Sequence, residues 1–413
     1  MTDMTHRQYL FILPLPITPP NSKNPRLGGL IFVRTDASFN MIGQKEYLAC
    51  KLPLHELAHP AYLLSQGIIP NSNLRALSTY KFMSKVKELF SYSNLYIITY
   101  GANYLDYLNE MALSVFYKED IFFNVKGILD LKTAFITDAF FSDLKALKIK
   151  DDIISKAKFL GFNDDISRYD INKKLDLVLY IFKYMQNKNQ RLILYLLQDK
   201  VNYHAFIAKA INLQSNIVYI ENSSKKLLII KPLSIDDTVL KALCFKDNEP
   251  CLIAINLNQF ELLAPLSILT ANRLSSLNID IEFETNRLDS EALKNALNKY
   301  SLPKYILQKQ GQNSIDKSFI DNIKNVAPQS LSVVPASISK DLKEKIFLYR
   351  ADNFLGSLMD QELSSYYRFA KNQIEKNLSR YYKECDLVAS NLDENDEKGK
   401  ELIAKIINYP STL

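Results

Sequence analysis

The 413-residue sequence contains no tryptophan, only ten glycines and only four histidines. Its glycines form no GxxxxGK[ST], GxGxxG or GxSxG motif, which excludes the usual signals of nucleotide-binding loops and of hydrolase nucleophile elbows. No apolar stretch reaches the roughly 18 to 20 residues of a membrane span, and the N-terminus lacks the basic-then-apolar pattern of a secretory signal. We therefore expect a cytoplasmic protein without a membrane segment.

The sequence also contains few cysteines and carries only a small net charge. The four cysteines, Cys50, Cys244, Cys251 and Cys385, form no CxxC pair, which favours buried thiols over a zinc site or a disulfide framework. The formal net charge of +6 is compatible with nucleic-acid binding but does not indicate it. A chain of this length with 47% hydrophobic and 23% charged residues is typical of a globular protein with two or three domains.

The first predicted strand, Gln8 to Thr18, lacks the chemistry that such a strand often carries at its end. Its apolar run from Tyr9 to Leu13 is closed by prolines, as expected for a buried strand that stops at ring-locked residues. The strand ends with Leu13 and Leu15 between those prolines. It therefore offers no acid, hydroxyl, thiol or imidazole group.

The pattern of predicted elements changes twice along the chain. Residues 1–190 begin with strands and continue with alternating strands and helices, which indicates an α/β layer structure. Residues 191–338 contain short strands separated by turns, with a linker near Gln308 to Ser314. Residues 339–413 are strongly helical. We therefore predict three domains with these limits.

One metal-binding motif occurs, the HExxH sequence from His55 to His59. On a helix it would supply two zinc ligands and a general base, Glu56. Pro53 and Pro60 bracket the motif and leave no room for a helix that continues past the second histidine. We therefore expect a turn or a short helical piece here rather than a zinc site.

Four phrases of the sequence stand out. They are VRTDASFNMIG at Val33 to Gly43, the pair Cys50-Lys51, the stretch from His59 to Pro70, and LYRADNFLGSL at Leu348 to Leu358. In content and order they resemble bacterial exonuclease I, a single-strand-specific 3′→5′ DNA exonuclease of the DnaQ-like DEDDh superfamily. The resemblance covers nearly the whole chain. It implies an α+β multidomain fold with a ribonuclease H-like (DnaQ-like) exonuclease domain, an SH3-like β-rich domain and a C-terminal helical domain.

The resemblance also implies which positions should carry catalysis. Enzymes of this family hold two Mg²⁺ ions with four carboxylates and use a histidine as the general base. The first two acids correspond in this chain to Leu13 and Leu15, and the third acid corresponds to Asp106. Tyr169 stands at the position of the base, and Lys174 stands at the position of the last acid. Only Asp106 is an acid. A two-residue gap in the match would place Asp176, instead of Lys174, at the last position.

These replacements remove the negative charge that would hold the metals. Mg²⁺ requires anionic oxygen ligands, and tyrosine, with an ordinary pKa of about 10, is a poor substitute for histidine as a base. We therefore expect a catalytically inactive protein with no cofactor, Mg²⁺ being relevant only if activity survives. We also expect Leu13 and Leu15 to fill the space of the metals, and Lys174 to form an ion pair with Asp106.

Three functions remain open on the sequence. The first is an inactive, monomeric protein that binds single-stranded DNA in DNA repair, with single-strand-binding protein, a known partner of the family, as a possible partner. The second is an active Mg²⁺-dependent exonuclease that uses another set of acids, such as Asp106, Asp130, Asp170 and Asp176. The third is a scaffold that binds other proteins and has no affinity for DNA.

Candidate DNA contacts come from two of the matching phrases. Aromatic and arginine side chains suit base stacking and phosphate binding. The candidates are Arg34, Tyr349, Arg350, Asn353 and Phe354. The alternative role, which the sequence favours, is structural: Arg34 would fix a hairpin, and the others would pack the helical region.

Overall fold

The computed structural model describes residues 7–117, 120–164, 166–236, 238–257, 261–289 and 314–412. Most of the linker predicted near Gln308 to Ser314 lies outside these ranges. The architecture is mixed α+β, with two separate five-stranded sheets and a helical C-terminal region. This agrees with the predicted fold class, whereas the exact limits of the three domains stay a prediction.

A five-stranded sheet organises the N-terminal half. Its strands run in the order β3-β2-β1-β4-β5. They are β1 (Gln8–Pro16), β2 (Leu27–Thr35), β3 (Met41–Ala49), β4 (Leu95–Thr99) and β5 (Val125–Asp130). Strand β1 is antiparallel to β2 and parallel to β4, and β4 is parallel to β5. The predicted first strand is therefore the centre of the sheet, and every residue in it after Gln8 is buried.

The helices of residues 60–212 cover both faces of this sheet, except the last of them, which packs against the second sheet. They are α1 (Pro60–Gln66), α2 (Thr79–Phe90), α3 (Asp106–Ser114), α4 (Leu131–Ser142), α5 (Ile153–Phe159), α6 (Ile171–Lys188), α7 (Gln190–Leu196) and α8 (Lys200–Asn212). Leu10 and Ile12 of β1 pack with α2 and α3, whereas Phe11 and Leu13 pack with α6. Because alternate side chains of a strand point to opposite faces, β1 needs apolar residues at every position.

The second sheet has the strand order β10-β6-β7-β8-β9 and is antiparallel throughout. Its strands are β6 (Ile217–Glu221), β7 (Lys226–Asp236), β8 (Val239–Lys246), β9 (Glu249–Asn256) and β10 (Leu262–Pro265). Helices α9 (Ala271–Leu277) and α10 (Ile281–Asp289) follow it in the chain. The predicted β-rich region is thus present between the two other parts of the chain.

The C-terminal helices return to the first sheet. They are α11 (Ser314–Asn322), α12 (Lys340–Asn353), α13 (Asp360–Ser390) and α14 (Glu397–Asn408). Ile346 of α12 joins the core formed by α2 and α3, while Tyr381 of α13 and Ile403 of α14 pack against Leu63 of α1. In the described part of the chain, no helix is long and apolar enough to cross a membrane.

The thiols of Cys244 and Cys251 are adjacent, a proximity that their spacing in the sequence does not indicate. The two residues are directly opposite each other across β8 and β9, and their Sγ atoms are 3.0 Å apart. All four cysteines are free, with Cys251 partly exposed and the other three buried, as expected for reduced thiols. The strand register therefore creates a cysteine pair at the second sheet.

Treatment with oxidised glutathione is expected to convert Cys244 and Cys251 into a disulfide, the two thiols losing two protons and two electrons to the oxidant. Burial raises the pKa of Cys244, so the reaction should be slow at neutral pH. Peptide mapping of the non-reduced protein will identify the bond. Cys251→Ser serves as the control, and a bond from Cys244 to any other cysteine would show that the register of β8 and β9 is wrong.

Candidate nucleic-acid cleft

A cleft of about 780 Å³ opens at the carboxyl end of β1. Its walls are formed by that strand end, α1, the segment after β4, the beginnings of α5 and α6, and the end of α13. Open sheets with parallel strands place their ligands at such carboxyl ends. Leu13, Tyr169 and Lys174 line the cleft. The fold therefore brings three of the five predicted catalytic positions to one site.

The two leucines at the end of β1 offer no metal ligand. Leu13 lines the cleft with only 7% of its surface exposed, and Leu15 lies fully buried beneath it. Both side chains belong to the hydrophobic core between the sheet and α6. Apolar atoms thus occupy the positions at which the family resemblance places the first two carboxylates.

Asp106 is the first residue of α3 and does not line the cleft. Burial raises the pKa of its carboxyl group to about 7, and the charges of Glu110 and Asp120 add to the effect. The ion pairs among the described residues include none between Asp106 and Lys174. The predicted pairing is therefore wrong, because the two side chains lie in different surroundings and Asp106 faces other acids.

Lys174 is one of the few buried lysines, with 7% of its surface exposed. Its ammonium group donates a hydrogen bond to the backbone oxygen of Ser65 in α1. Burial, assisted by the charge of Arg168, lowers the pKa of Lys174 to about 8. Asp176, the alternative for this position, pairs with Lys45 and does not line the cleft. A cation therefore stands where the last metal-binding acid would be.

Tyr169 connects the cleft to the C-terminal helices. Its hydroxyl donates a hydrogen bond to Asp396, which also forms an ion pair with Arg168 and accepts a bond from the backbone of Gly399. Burial, together with the bond to Asp396, raises the pKa of Tyr169 to about 12. A hydroxyl that remains protonated and donates to a carboxylate cannot serve as a general base near neutral pH.

Two glycines make room for Tyr169. A Cβ atom on Gly67, which has a φ of 71°, would lie 2.3 Å from the backbone oxygen of Tyr169. A Cβ atom on Gly399 would lie 2.4 Å from the tyrosine hydroxyl. Both positions therefore require glycine, which indicates that the contact between this tyrosine and the helical region is closely packed.

The alternative set of acids does not converge on one point. Asp130 is 4% exposed and accepts hydrogen bonds from the backbone amides of Gly101, Ala102 and Lys132. Asp170 caps the N-terminus of α6. No group of three or more potential ligands from histidine, cysteine, aspartate and glutamate occurs among the described residues. The residues around the cleft therefore do not fit a pair of Mg²⁺ ions, which need several anionic oxygen ligands.

The HExxH sequence lies in a turn before α1, as its flanking prolines predict. Glu56 forms a bidentate pair with Arg26, with both N···O distances 2.8 Å. His55 Nδ1 lies 3.4 Å from Asp352, and His59 Nε2 lies 3.5 Å from Glu384. His55 Nε2 also lies 3.7 Å from Glu56, but the two histidines have different partners, so the three side chains of the motif do not meet at one centre.

Two candidate DNA contacts pack against other aromatic rings. The guanidinium of Arg34 lies 4.0 Å from the ring centre of Tyr92. Tyr349 is 5% exposed and packs edge-on against Tyr80 and Phe116. Tyr349 is thus packed inside the protein, whereas the ring that Arg34 contacts lies outside the hairpin that it was expected to fix. The DNA contacts of both residues stay a prediction.

The remaining candidates stabilise the turn after α12. Arg350 is 2% exposed and forms a bidentate pair with Glu362, at 2.7 and 3.0 Å. Asn353 accepts a hydrogen bond from the backbone of Tyr80, and the half-buried Phe354 packs against the ring of that tyrosine. The arginine is therefore enclosed by protein, and a contact between its guanidinium and DNA would require this part to open.

Sequence reasoning missed three residues that shape the cleft: Tyr100, Arg168 and Asp396. Arg168 precedes Tyr169 directly, but nothing in the pattern indicates that both reach Asp396, more than 220 positions away. Tyr100 follows β4, and its hydroxyl is buried without a hydrogen-bond partner. The position of Tyr100 after a parallel strand was a usable signal, because such positions face the ligand edge of the sheet.

Comparison with known proteins supports the family resemblance. The family profile described as Exonuclease I C-terminal domain matches residues 312–413. No curated protein sequence gives a significant match. Among solved structures, E. coli exonuclease I in its zinc-bound complex with single-stranded DNA has a TM-score of 0.78 at 16% identity, over 98% of this chain and 99% of that chain.

Two further solved structures of exonuclease I are similar to this chain over the same length. The structure of exonuclease I that suggests how processivity is achieved has a TM-score of 0.78 at 17% identity, over 98% of this chain and 99% of that one. The complex of exonuclease I with the C-terminal peptide of SSB has a TM-score of 0.76 at 16% identity, with the same coverage. The chain therefore has the fold of exonuclease I along its length, and its residues 312–413 match the exonuclease I C-terminal domain.

Proposed function

We propose that this protein binds single-stranded DNA in the cleft without hydrolysing it. The observation that carries the proposal is the composition of the catalytic positions. Leu13 and Leu15 are apolar and buried, Tyr169 is bound to Asp396, and Lys174 brings a positive charge. Such a site would repel divalent cations rather than collect them.

The DNA-binding part of the proposal is supported by the solved structures with the same fold. Two of them are E. coli exonuclease I bound to single-stranded DNA and to a dA16 oligonucleotide. Here the cleft retains a volume of about 780 Å³, which is enough for nucleotide-sized groups. Loss of the metal site alone would abolish hydrolysis while leaving such a cleft open to a strand.

A nuclease assay run beside a binding titration tests the proposal. With Mg²⁺ or Mn²⁺, we expect no nucleotides to be released from 3′-labelled single-stranded DNA. The same DNA should bind, and the logarithm of the affinity should fall linearly with the logarithm of the salt concentration, by about 0.7 per phosphate contact. E. coli exonuclease I is the positive control for hydrolysis.

Two results would contradict the proposal. Degradation that is lost in Asp106→Ala would show that the chain is an active exonuclease with an altered set of ligands. Absence of salt-dependent binding to single-stranded DNA would favour the scaffold hypothesis instead.

The proposed partners include single-strand-binding protein. Solved structures of exonuclease I contain the C-terminal peptide of SSB, and this chain shares their fold over 98% of its length. Through such a partner, an inactive exonuclease I-like protein would be recruited to single-stranded DNA that arises during repair. The monomeric state remains a prediction.

A further inference from the structure

The cleft contains a cation that lacks a carboxylate partner. The Lys174 ammonium donates to the Ser65 backbone oxygen, and within the described ranges no acid lies in ion-pair distance of it. An ammonium group has three N–H donors, so two remain for other acceptors. A buried charge in this state is stabilised by any anion that reaches it.

A second donor in the same cleft is also unused. The Tyr100 hydroxyl is buried and has no hydrogen-bond partner, although the side chain lines the cleft. Tyr100 and Lys174 line the same cleft, and Asp152 lines it as well. An unpaired buried hydroxyl is destabilising unless a ligand or water completes it.

The two acids that line the cleft, Asp151 and Asp152, have partners of their own. Asp151 forms ion pairs with Lys132 and Lys156. These pairs compensate much of its negative charge, so that it repels an approaching anion less. Asp152 accepts two hydrogen bonds from Ser155 and lies 3.9 Å from the ammonium of Lys150. Of the cations that line the cleft, Lys150 and Arg168 have ion pairs, whereas Lys174 has none among the described residues.

We propose that the cleft binds a phosphate group directly through the Lys174 ammonium and the Tyr100 hydroxyl, with no metal ion between the phosphate and the protein. This site rests on the DNA-binding function proposed above, in which a DNA strand supplies the phosphate. A free nucleoside monophosphate is the other source of the same chemistry. Leu13 and Pro14 contribute apolar surface to the wall of the cleft.

Calorimetric titration of the full-length protein in EDTA tests the site with three probes: inorganic phosphate, thymidine monophosphate and oligothymidylate. Lys174→Met should weaken binding by about tenfold or more, since charge-assisted hydrogen bonds are the strong ones. Removing the hydroxyl alone with Tyr100→Phe should weaken it by about threefold to tenfold. Lys174→Met is expected to fold, because it replaces a buried charge by an apolar chain of similar length.

The matched control is Lys173→Met, which removes the same charge from the neighbouring, exposed position of α6. It should change the affinity less than about twofold, because exposed charges contribute little. Equal affinities of Lys173→Met and Lys174→Met, or phosphate binding that requires Mg²⁺, would overturn the site.

The three probes separate this site from the DNA-binding function. Oligothymidylate binding that does not depend on Lys174 would leave the proposed function standing and overturn the phosphate site. Binding of thymidine monophosphate that depends on Lys174, without binding of oligothymidylate, would support the site and contradict the DNA-binding function. No binding of any probe would contradict both.

Discussion

Asp106→Asn is expected to raise the free energy of unfolding at neutral pH by about 2–4 kcal/mol, since each pKa unit corresponds to about 1.4 kcal/mol. Burial, with the charges of Glu110 and Asp120, raises the pKa of Asp106 to about 7. Asparagine has the shape of the protonated acid and no charge. The position of Asp106 at the N-terminus of α3 favours its ionised form, but by less than 1 kcal/mol or so.

The sign of the pH dependence follows from the proton balance. Between about pH 4 and pH 7 the folded protein keeps a proton on Asp106 that the unfolded chain has lost. The contribution of Asp106 to the free energy of unfolding should therefore fall over this range as the pH rises. The gain from Asp106→Asn should be near zero at pH 4, should grow up to about pH 7 and should then level off. Urea denaturation at several pH values measures it.

Glu110→Gln is the matched control for Asp106. It removes one negative charge from an exposed position of the same helix. The gain in the free energy of unfolding should be smaller, because only the repulsion between Glu110 and Asp106 is relieved. The experiment also tests for a hidden metal site. If Mg²⁺ stabilises the wild-type protein and not Asp106→Asn, the carboxyl group is a ligand and the chain is not the inactive protein proposed above.

Glu362→Gln is expected to lower the free energy of unfolding by about 2–4 kcal/mol, because removing one partner of a buried ion pair leaves the other charge uncompensated. Arg350 is 2% exposed and depends on Glu362 for two of its hydrogen bonds, the third going to the backbone oxygen of Ser357. Glutamine retains an oxygen that accepts from the backbone of Met359 at the start of α13, so the cap is preserved. Thermal unfolding measures the loss.

Glu375→Gln on the same helix is the control for charge alone. Its ion pair with Lys371 is exposed and 3.9 Å long, so the change should be less than about 0.5 kcal/mol. The double variant Arg350→Met with Glu362→Gln should lose less than the sum of the single changes, because no unpaired charge remains. A loss from Glu362→Gln no larger than that from Glu375→Gln would show that Arg350 is not buried in solution.

The sequence predicts the central strand and the order of the three structural regions well. Strand β1 is apolar at every position, and that pattern alone indicates a strand covered on both faces. The four matching phrases predict the exonuclease I-like fold. The same phrases predict the positions at which metal-binding acids would be missing, because those positions are defined by their distance from recognisable strands.

The sequence shows no clear hydrophobic periodicity for α4 and β5, and neither element is predicted from it. Helix α4 is buried around almost its whole circumference, so it shows no amphipathic pattern. Strand β5 is short and is followed by this helix without an intervening loop. Local periodicity carries no signal for elements of this kind, and tertiary packing decides their conformation.

The chemistry of the site depended on contacts between distant parts of the chain. The sequence by itself determined which residue types stand at these positions. The resemblance predicted that Asp106 is a retained acid and that Lys174 replaces one, and it suggested that the two would pair. Only the tertiary structure decided that Lys174 bonds to Ser65, that Tyr169 bonds to Asp396, and that Asp106 faces other acids. The reason is physical: residue types follow from the sequence, whereas the partner of a buried charge is set by how separate elements pack.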